Sequence, residues 1–119
     1  MFIQVDKHSG IPAYLQIMNQ IKKEIIIGNL KINDQLPTIR EMQKIFGVNI
    51  NTVSRALERL AMENLVDPQH GVGYFIKEST NSIDENLLEE IKKIVSRLKE
   101  KQIDYNTANL VFEEVWKND

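Results

Sequence analysis

Apolar residues recur at helical spacing in several stretches of this chain, and the polar residues between them supply starts and stops. In the first stretch Tyr14, Met18, Ile21 and Ile25 fall at i, i+4, i+7 and i+11, one helical face. Pro12 suits the start of that helix and Gly28 its end. Ahead of it, Phe2, Ile3 and Val5 with Gln4 and Asp6 read as a short strand or an extended arm, and the run HSGIP as a turn. A second helix is predicted to start after Thr38, whose hydroxyl can accept from the Glu41 backbone N–H while the Glu41 carboxylate reaches back. Pro37 disfavours helix at Leu36, and Gly47 offers the left-handed residue that ends the helix. Asn49 then caps a third helix, in which Val53, Ala56, Leu57, Leu60 and Ala61 form a single apolar stripe running to about Asn64.

After that helix the period changes. Leu65 and Val66 make a short apolar strand, DPQHGVG is rich in turn formers, and YFIK reads as the returning strand of a hairpin. Helical spacing then resumes. Ser82 is a candidate cap for a helix of about 19 residues whose Leu87, Leu88, Ile91, Ile94, Val95 and Leu98 lie on one face at a period near 3.5. Its other face is a solvated run of charges, including Glu89, Lys92 and Lys93. Asp104 starts a last helix of about 13 residues with Ala108, Val111, Phe112 and Val115 on one side. The expectation is a mainly α chain with a small β-hairpin: one domain over residues 1–78 and a two-helix segment over residues 79–119.

Two helices alone cannot close a core. Their stripes must pack on the first domain or on a second copy of the chain. The first domain already has apolar faces enough for a core of its own, so a second copy is the expected partner. Leu87, Leu88, Ile91, Ile94, Val95, Leu98, Val111, Phe112 and Val115 are the candidate dimerisation residues.

Composition narrows the function. At 119 residues, 42% hydrophobic and 27% charged, the chain has the profile of a soluble globular domain with an appendage. It holds no cysteine, which excludes disulfides and cysteine-based zinc sites and suits a reducing cytoplasm. No apolar run reaches the ~18 residues needed to span a bilayer. The opening MFIQVDKHSG lacks the basic start and apolar core of a signal peptide. His8 and His70 stand alone, and no nucleophile–base pair, metal cluster, cofactor motif or phosphate-cradling loop is visible, so nothing supports an enzyme or a bound cofactor. The net charge of −2 is unevenly divided. Residues 1–78 carry nine Lys/Arg against eight Asp/Glu, net +1, whereas residues 79–119 carry six against nine, net −3. A net +1 is a weak electrostatic footprint for a nucleic-acid binder. Affinity would have to come from a few placed cations and two copies acting together.

Those placed groups lie opposite the apolar stripe of the third helix: Asn51, Thr52, Arg55 and Arg59. Helix, glycine turn, then a helix exposing amides and arginines near its start is the helix-turn-helix layout for reading a major groove. Three helices plus a hairpin make it a winged helix-turn-helix. Arg can fork onto guanine O6/N7, and Asn can pair bidentately with adenine. Thr38, Asn49 and Thr52 lie near helix N-termini, where phosphate is favoured by free N–H groups and the helix dipole. Arg59 lies later on the helix, where pairing with Glu63 at i+4 is the plainer reading. Tyr14 and Trp116 read as packing residues.

In combination, P-x-Y-x-Q-I, I-x-x-G, L-P-x-x-R-E, V-N-x-N-T-V-x-R-A and G-x-G-x-F resemble the DNA-binding domain of GntR-type bacterial transcription regulators. FIQVDKHSGIPAYLQI, VNINTVSRAL and the two-helix tail are similar to the YtrA-like branch, the one with the shortest C-terminal part. The resemblance covers essentially the whole chain. It implies a homodimeric, sequence-specific DNA-binding regulator, a repressor above all, acting on double-stranded DNA at an inverted-repeat operator, often beside transporter genes. It further implies that Arg40 approaches DNA from the start of the second helix, and that Asn51, Thr52 and Arg55 belong to the recognition helix. Gly73 is matched to the wing-tip glycine that lets the backbone near the minor groove. The wing holds neither Lys nor Arg, leaving His70 as its candidate contact, and Ile50 and Ser54 stand where many members outside this branch have arginine. A winged-helix protein-interaction module without DNA binding remains the alternative, which the weak net charge allows.

Overall fold

A computed structural model of the chain describes residues 1–77 and 83–118, in the order α1 (Ala13–Ile26), α2 (Ile39–Phe46), α3 (Ile50–Met62), β1 (Val66–Gln69), β2 (Gly73–Ile76), α4 (Glu85–Glu100) and α5 (Tyr105–Asn118). They divide into two compact units, Met1–Ile83 and Asp84–Asp119. The boundary expected between residues 78 and 79, and the Ser82 cap, fall outside the described residues.

The first unit is a winged helix-turn-helix built on local signals. Thr38 Oγ1 accepts from the Glu41 N–H at 3.1 Å while the Thr38 N–H donates to the Glu41 carboxylate at 2.9 Å, a complete capping box for α2. Gly47 ends α2 at φ 69°, a left-handed conformation that costs glycine nothing. Two residues later Asn49 Oδ1 accepts from the Thr52 N–H at 2.9 Å and caps α3. The resulting tight turn lets α2 and α3 bury facing stripes. Met42 and Phe46 from α2 meet Val53, Ala56, Leu57 and Leu60 from α3, and α1 closes the core with Ile17, Met18, Ile21 and Ile25. Ile17, fully buried, widens the α1 stripe beyond its predicted members, and Tyr14 and Ala61 are only partly buried.

The N-terminal arm is extended backbone held by two glutamines one helical turn apart. Gln20 accepts from the Ile3 N–H and donates to the Ile3 carbonyl, both at 2.9 Å, so one side-chain amide acts as a strand edge. Gln16 does the same for Asp6, both bonds at 2.8 Å. Val5 then reaches the core, its N–H donating to the Phe46 carbonyl. Among the described residues of this unit Glu24 is the buried charge; its carboxylate accepts from the Met1 ammonium and from Asn29 Nδ2. The ammonium holds Glu24 below its ordinary titration range against the opposing effect of burial.

The hairpin differs from expectation. Asp67, Pro68 and Gln69 continue β1 rather than forming a loop, in register Val66↔Ile76 to Gln69↔Gly73, and the turn shrinks to residues 70–72. Pro68 is tolerated because β1 is an edge strand that loses no ladder bond there. The other edge of β2 is occupied by the connection before α2. Asn33 N–H donates to the Ile76 carbonyl, Ile76 N–H to Asp34, and Leu36 N–H to Tyr74, each at 2.9 Å. Gln35 faces Phe75 in an isolated bridge. Buried Val66 and Ile76 root this wing in the core.

In the second unit Asp84 caps α4, accepting from the Leu87 N–H at 2.8 Å, and Asp104 accepts from the Thr107 N–H at 2.9 Å to start α5. The two helices bury no residue fully. Leu88, Leu98, Ile103 and Ala108 are half-buried, whereas Leu87, Ile91, Ile94, Val95, Val111, Phe112 and Val115 remain exposed. Trp116, expected to pack, is 75% exposed in the single chain and touches Phe112 with ring centroids 5.8 Å apart.

Candidate nucleic-acid interface

Burying Val53, Ala56, Leu57 and Leu60 forces the remaining side chains of α3 outward, because a helix has only one face per stripe. Asn51 and Arg55 are exposed one turn apart, and Arg59 lies one turn further on the same side. The Arg55 guanidinium carbon lies 4.0 Å from the centroid of the Tyr14 ring, and that of Arg59 lies 5.1 Å from it. Tyr14, expected to be a packing residue, is therefore also a platform for two cations. Glu63 does not pair with Arg59 at i+4. Its carboxylate accepts from Lys22 Nζ at 2.9 Å across the α1–α3 contact. Among the described residues neither Arg55 nor Arg59 has a carboxylate within ion-pair distance.

The other predicted positions separate by the work they already do. Asn49 Oδ1 accepts from both the N–H and the Oγ1 of Thr52, at 2.9 and 3.1 Å, so this pair first holds the helix start together. Asn49 is exposed and its amide N–H₂ faces no acceptor among the described residues. Thr38 spends its oxygen on the capping box, beside an exposed Arg40 in the first turn of α2. Hydrogen bonds from Thr38 hold the Glu41 carboxyl below its usual range, keeping a negative charge at that helix start. His70 is exposed in the wing turn. Gly73 is not at the tip. It opens β2, while Gly71, at φ 76°, occupies the turn. Gly73 has φ 146°, and a Cβ there would lie 2.8 Å from Gln35 Nε2. Its glycine character serves the packing of the wing on residues 33–36.

The profile described as "Bacterial regulatory proteins, gntR family" matches residues 13–76, from the start of α1 to the end of the wing. The chain belongs to the gntR family. Over 114 residues it is 34% identical to the HTH-type transcriptional repressor YtrA of Bacillus subtilis (strain 168), covering 95% of this chain and 85% of the relative. A solved structure titled as YtrA from Sulfolobus acidocaldarius, a GntR-family transcription factor, is similar at 31% identity and TM-score 0.60, covering 98% of each chain. The DNA-binding domain of AraR, solved in complex with operator ORR3, matches 64% of this chain and 94% of its own length at 27% identity and TM-score 0.55.

Within this GntR-family domain, sequence reasoning found the helix-turn-helix but missed three supports: the Tyr14 platform, the Lys22–Glu63 bridge and the third edge of the wing. The glutamines at i and i+4 in α1 were a legible signal for a pinned arm. The platform had none, since Tyr14 and Arg55 lie on different helices.

Proposed function

We propose that this chain is a sequence-specific DNA-binding transcription regulator acting in the cytoplasm as a homodimer, with residues 1–78 binding DNA and residues 79–119 joining the subunits. One observation carries the reading. The exposed side of α3 presents Asn51, Arg55 and Arg59 with no carboxylate paired to either arginine among the described residues, inside the segment that matches the family. Direct readout falls to Asn51 and Arg55, whose planar donors suit base edges. Thr38, Arg40, Asn49 and Thr52 attach to phosphate, with His70 and the Gly73 backbone in the wing following the adjacent groove. Repression is the expected sense, in line with the printed name of the Bacillus subtilis relative. Control of neighbouring transporter genes is part of the same proposal.

Dimerisation rests on the exposed stripe of Leu87, Ile91, Ile94 and Val95 on α4 with Val111, Phe112 and Val115 on α5; half-buried Leu88 and Leu98 back it. Two α3 helices related by a two-fold axis enter successive major grooves about 34 Å apart, so the operator is an inverted repeat with half-sites about one turn apart. The near-neutral charge of residues 1–78 favours a second reading, a protein-interaction module. Gel shifts at two salt concentrations, using fragments selected from the host genome and scrambled controls, separate the two. A regulator retains a preference for the selected fragment as salt weakens all binding. Absence of binding at both concentrations favours the module.

A further inference from the structure

We infer that Tyr14 is a positioning residue of the recognition surface, a ring that sets the Arg55 guanidinium before DNA arrives and keeps Arg59 beside it. The inference rests on the DNA-binding reading above and extends it to a residue on α1. The distances of 4.0 and 5.1 Å place both guanidinium carbons over one ring, within cation–π range. A carboxylate could also hold an arginine, but it would consume the N–H donors. A ring engages the flat face of the guanidinium and leaves its edge donors available for guanine O6/N7 or phosphate.

The surroundings protect that arrangement. Glu63, one turn beyond Arg59, would be its natural neutraliser, yet Lys22 draws the carboxylate to α1 at 2.9 Å. Arg55, Arg59, Glu58, Glu63, Met18 and Met62 line an open groove between α1 and α3, with Glu63 held there by Lys22 rather than by Arg59. Two cations share a ring, the acid at i+4 from Arg59 is paired with Lys22, and Glu58 in the same groove makes no ion pair with either arginine among the described residues. Tyr14 itself is half-buried against the core and forms no hydrogen bond through its hydroxyl among the described residues. The ring is therefore the working part.

Full-length Tyr14→Phe and Tyr14→Leu variants test this. Phe keeps the ring and its volume, whereas Leu keeps a smaller apolar side chain and removes the π face. Ordering a long side chain on binding costs roughly three- to tenfold in affinity. Tyr14→Leu should lose about that factor on a selected operator fragment and less on scrambled DNA, while Tyr14→Phe matches wild type. In an Arg55→Ala background the same Leu substitution should cost little further. In the free protein, NMR should find the Arg55 side-chain protons shifted by the aromatic ring current, and Tyr14→Leu should abolish the shift. A Tyr14→Leu protein that equals wild type on the operator, or an equal loss in the Arg55→Ala background, overturns the inference. If the ring-current shift is present but wild type does not prefer operator over scrambled DNA, the DNA-binding reading fails and this inference falls with it.

Discussion

Alanine at Gly73 is the sharpest probe of how the wing is built. At φ 146° the residue sits where an L side chain is strained, at a cost of about 1–3 kcal/mol. A Cβ would also stand 2.8 Å from Gln35 Nε2, the same nitrogen that donates to the Val72 carbonyl at 3.1 Å. Gln35 is an exposed, flexible side chain, so it would swing away and forfeit that bond, about 1 kcal/mol or less given access to water. The sum is about 1–4 kcal/mol. Gly71 is the internal control, because at φ 76° nothing lies within 4 Å of its added Cβ. Gly71→Ala should cost about 1 kcal/mol from backbone strain alone, and Gly71→Asn less, since Asn tolerates the left-handed region. Because Val66 and Ile76 at the base of the wing are core residues, wing strain should register in unfolding of the whole first unit. For a domain of this size the Gly73→Ala loss corresponds to a fall in Tm of the order of 10 °C. Urea and thermal unfolding followed by far-UV circular dichroism, at fixed protomer concentration, measure all three variants. The decisive comparison adds Gln35→Ala. In that background the obstacle and its bond are gone, so Gly73→Ala should cost about 1 kcal/mol less than in wild type. An unchanged cost, or a Gly73→Ala no worse than Gly71→Ala, refutes the packing argument.

Three further outcomes follow from the same geometry. Arg40→Ala should weaken operator and scrambled DNA alike and reduce the slope of log affinity against log salt by about one contact per subunit; a selective loss on operator would instead make Arg40 a base reader. If the proposed dimer forms through α4, Ile94→Asp, at a position 54% exposed in the single chain, should give a monomer in light scattering where wild type gives a dimer, without lowering the helix content of the first unit; a mass equal to wild type would remove α4 from the interface. The Glu41 carboxyl is held below its ordinary value of 4.5, so its share of stability is present above that pH and is lost as the pH falls through the depressed folded value. Glu41→Gln should therefore flatten part of the acid limb of stability against pH, and a limb identical to wild type would show the carboxylate side of the capping box to be idle.

The helix boundaries of the first domain were legible because their causes are local. Thr38 with Glu41, Asn49 with Thr52, and Gly47 each act within a few residues, and a hydrogen bond closed over so short a span is set by residue type and order. The apolar stripe of α3 likewise had to be buried, which turned Asn51 and Arg55 outward whatever the rest of the chain did. The extent of the hairpin was not legible in this way. Asp67 and Pro68 carry turn chemistry, yet they pair with Phe75 and Tyr74 of a β2 whose far edge is held by residues 33–36, some forty positions before it. Nor could spacing along one helix reveal that Lys22 takes Glu63, a residue 41 positions away, or that the Tyr14 ring lies under Arg55. Chain order specifies what an arginine on α3 can donate. Which ring it rests on, and which acid is kept from it, depends on the packing of α1 across α3, a contact made only once the shared core has closed.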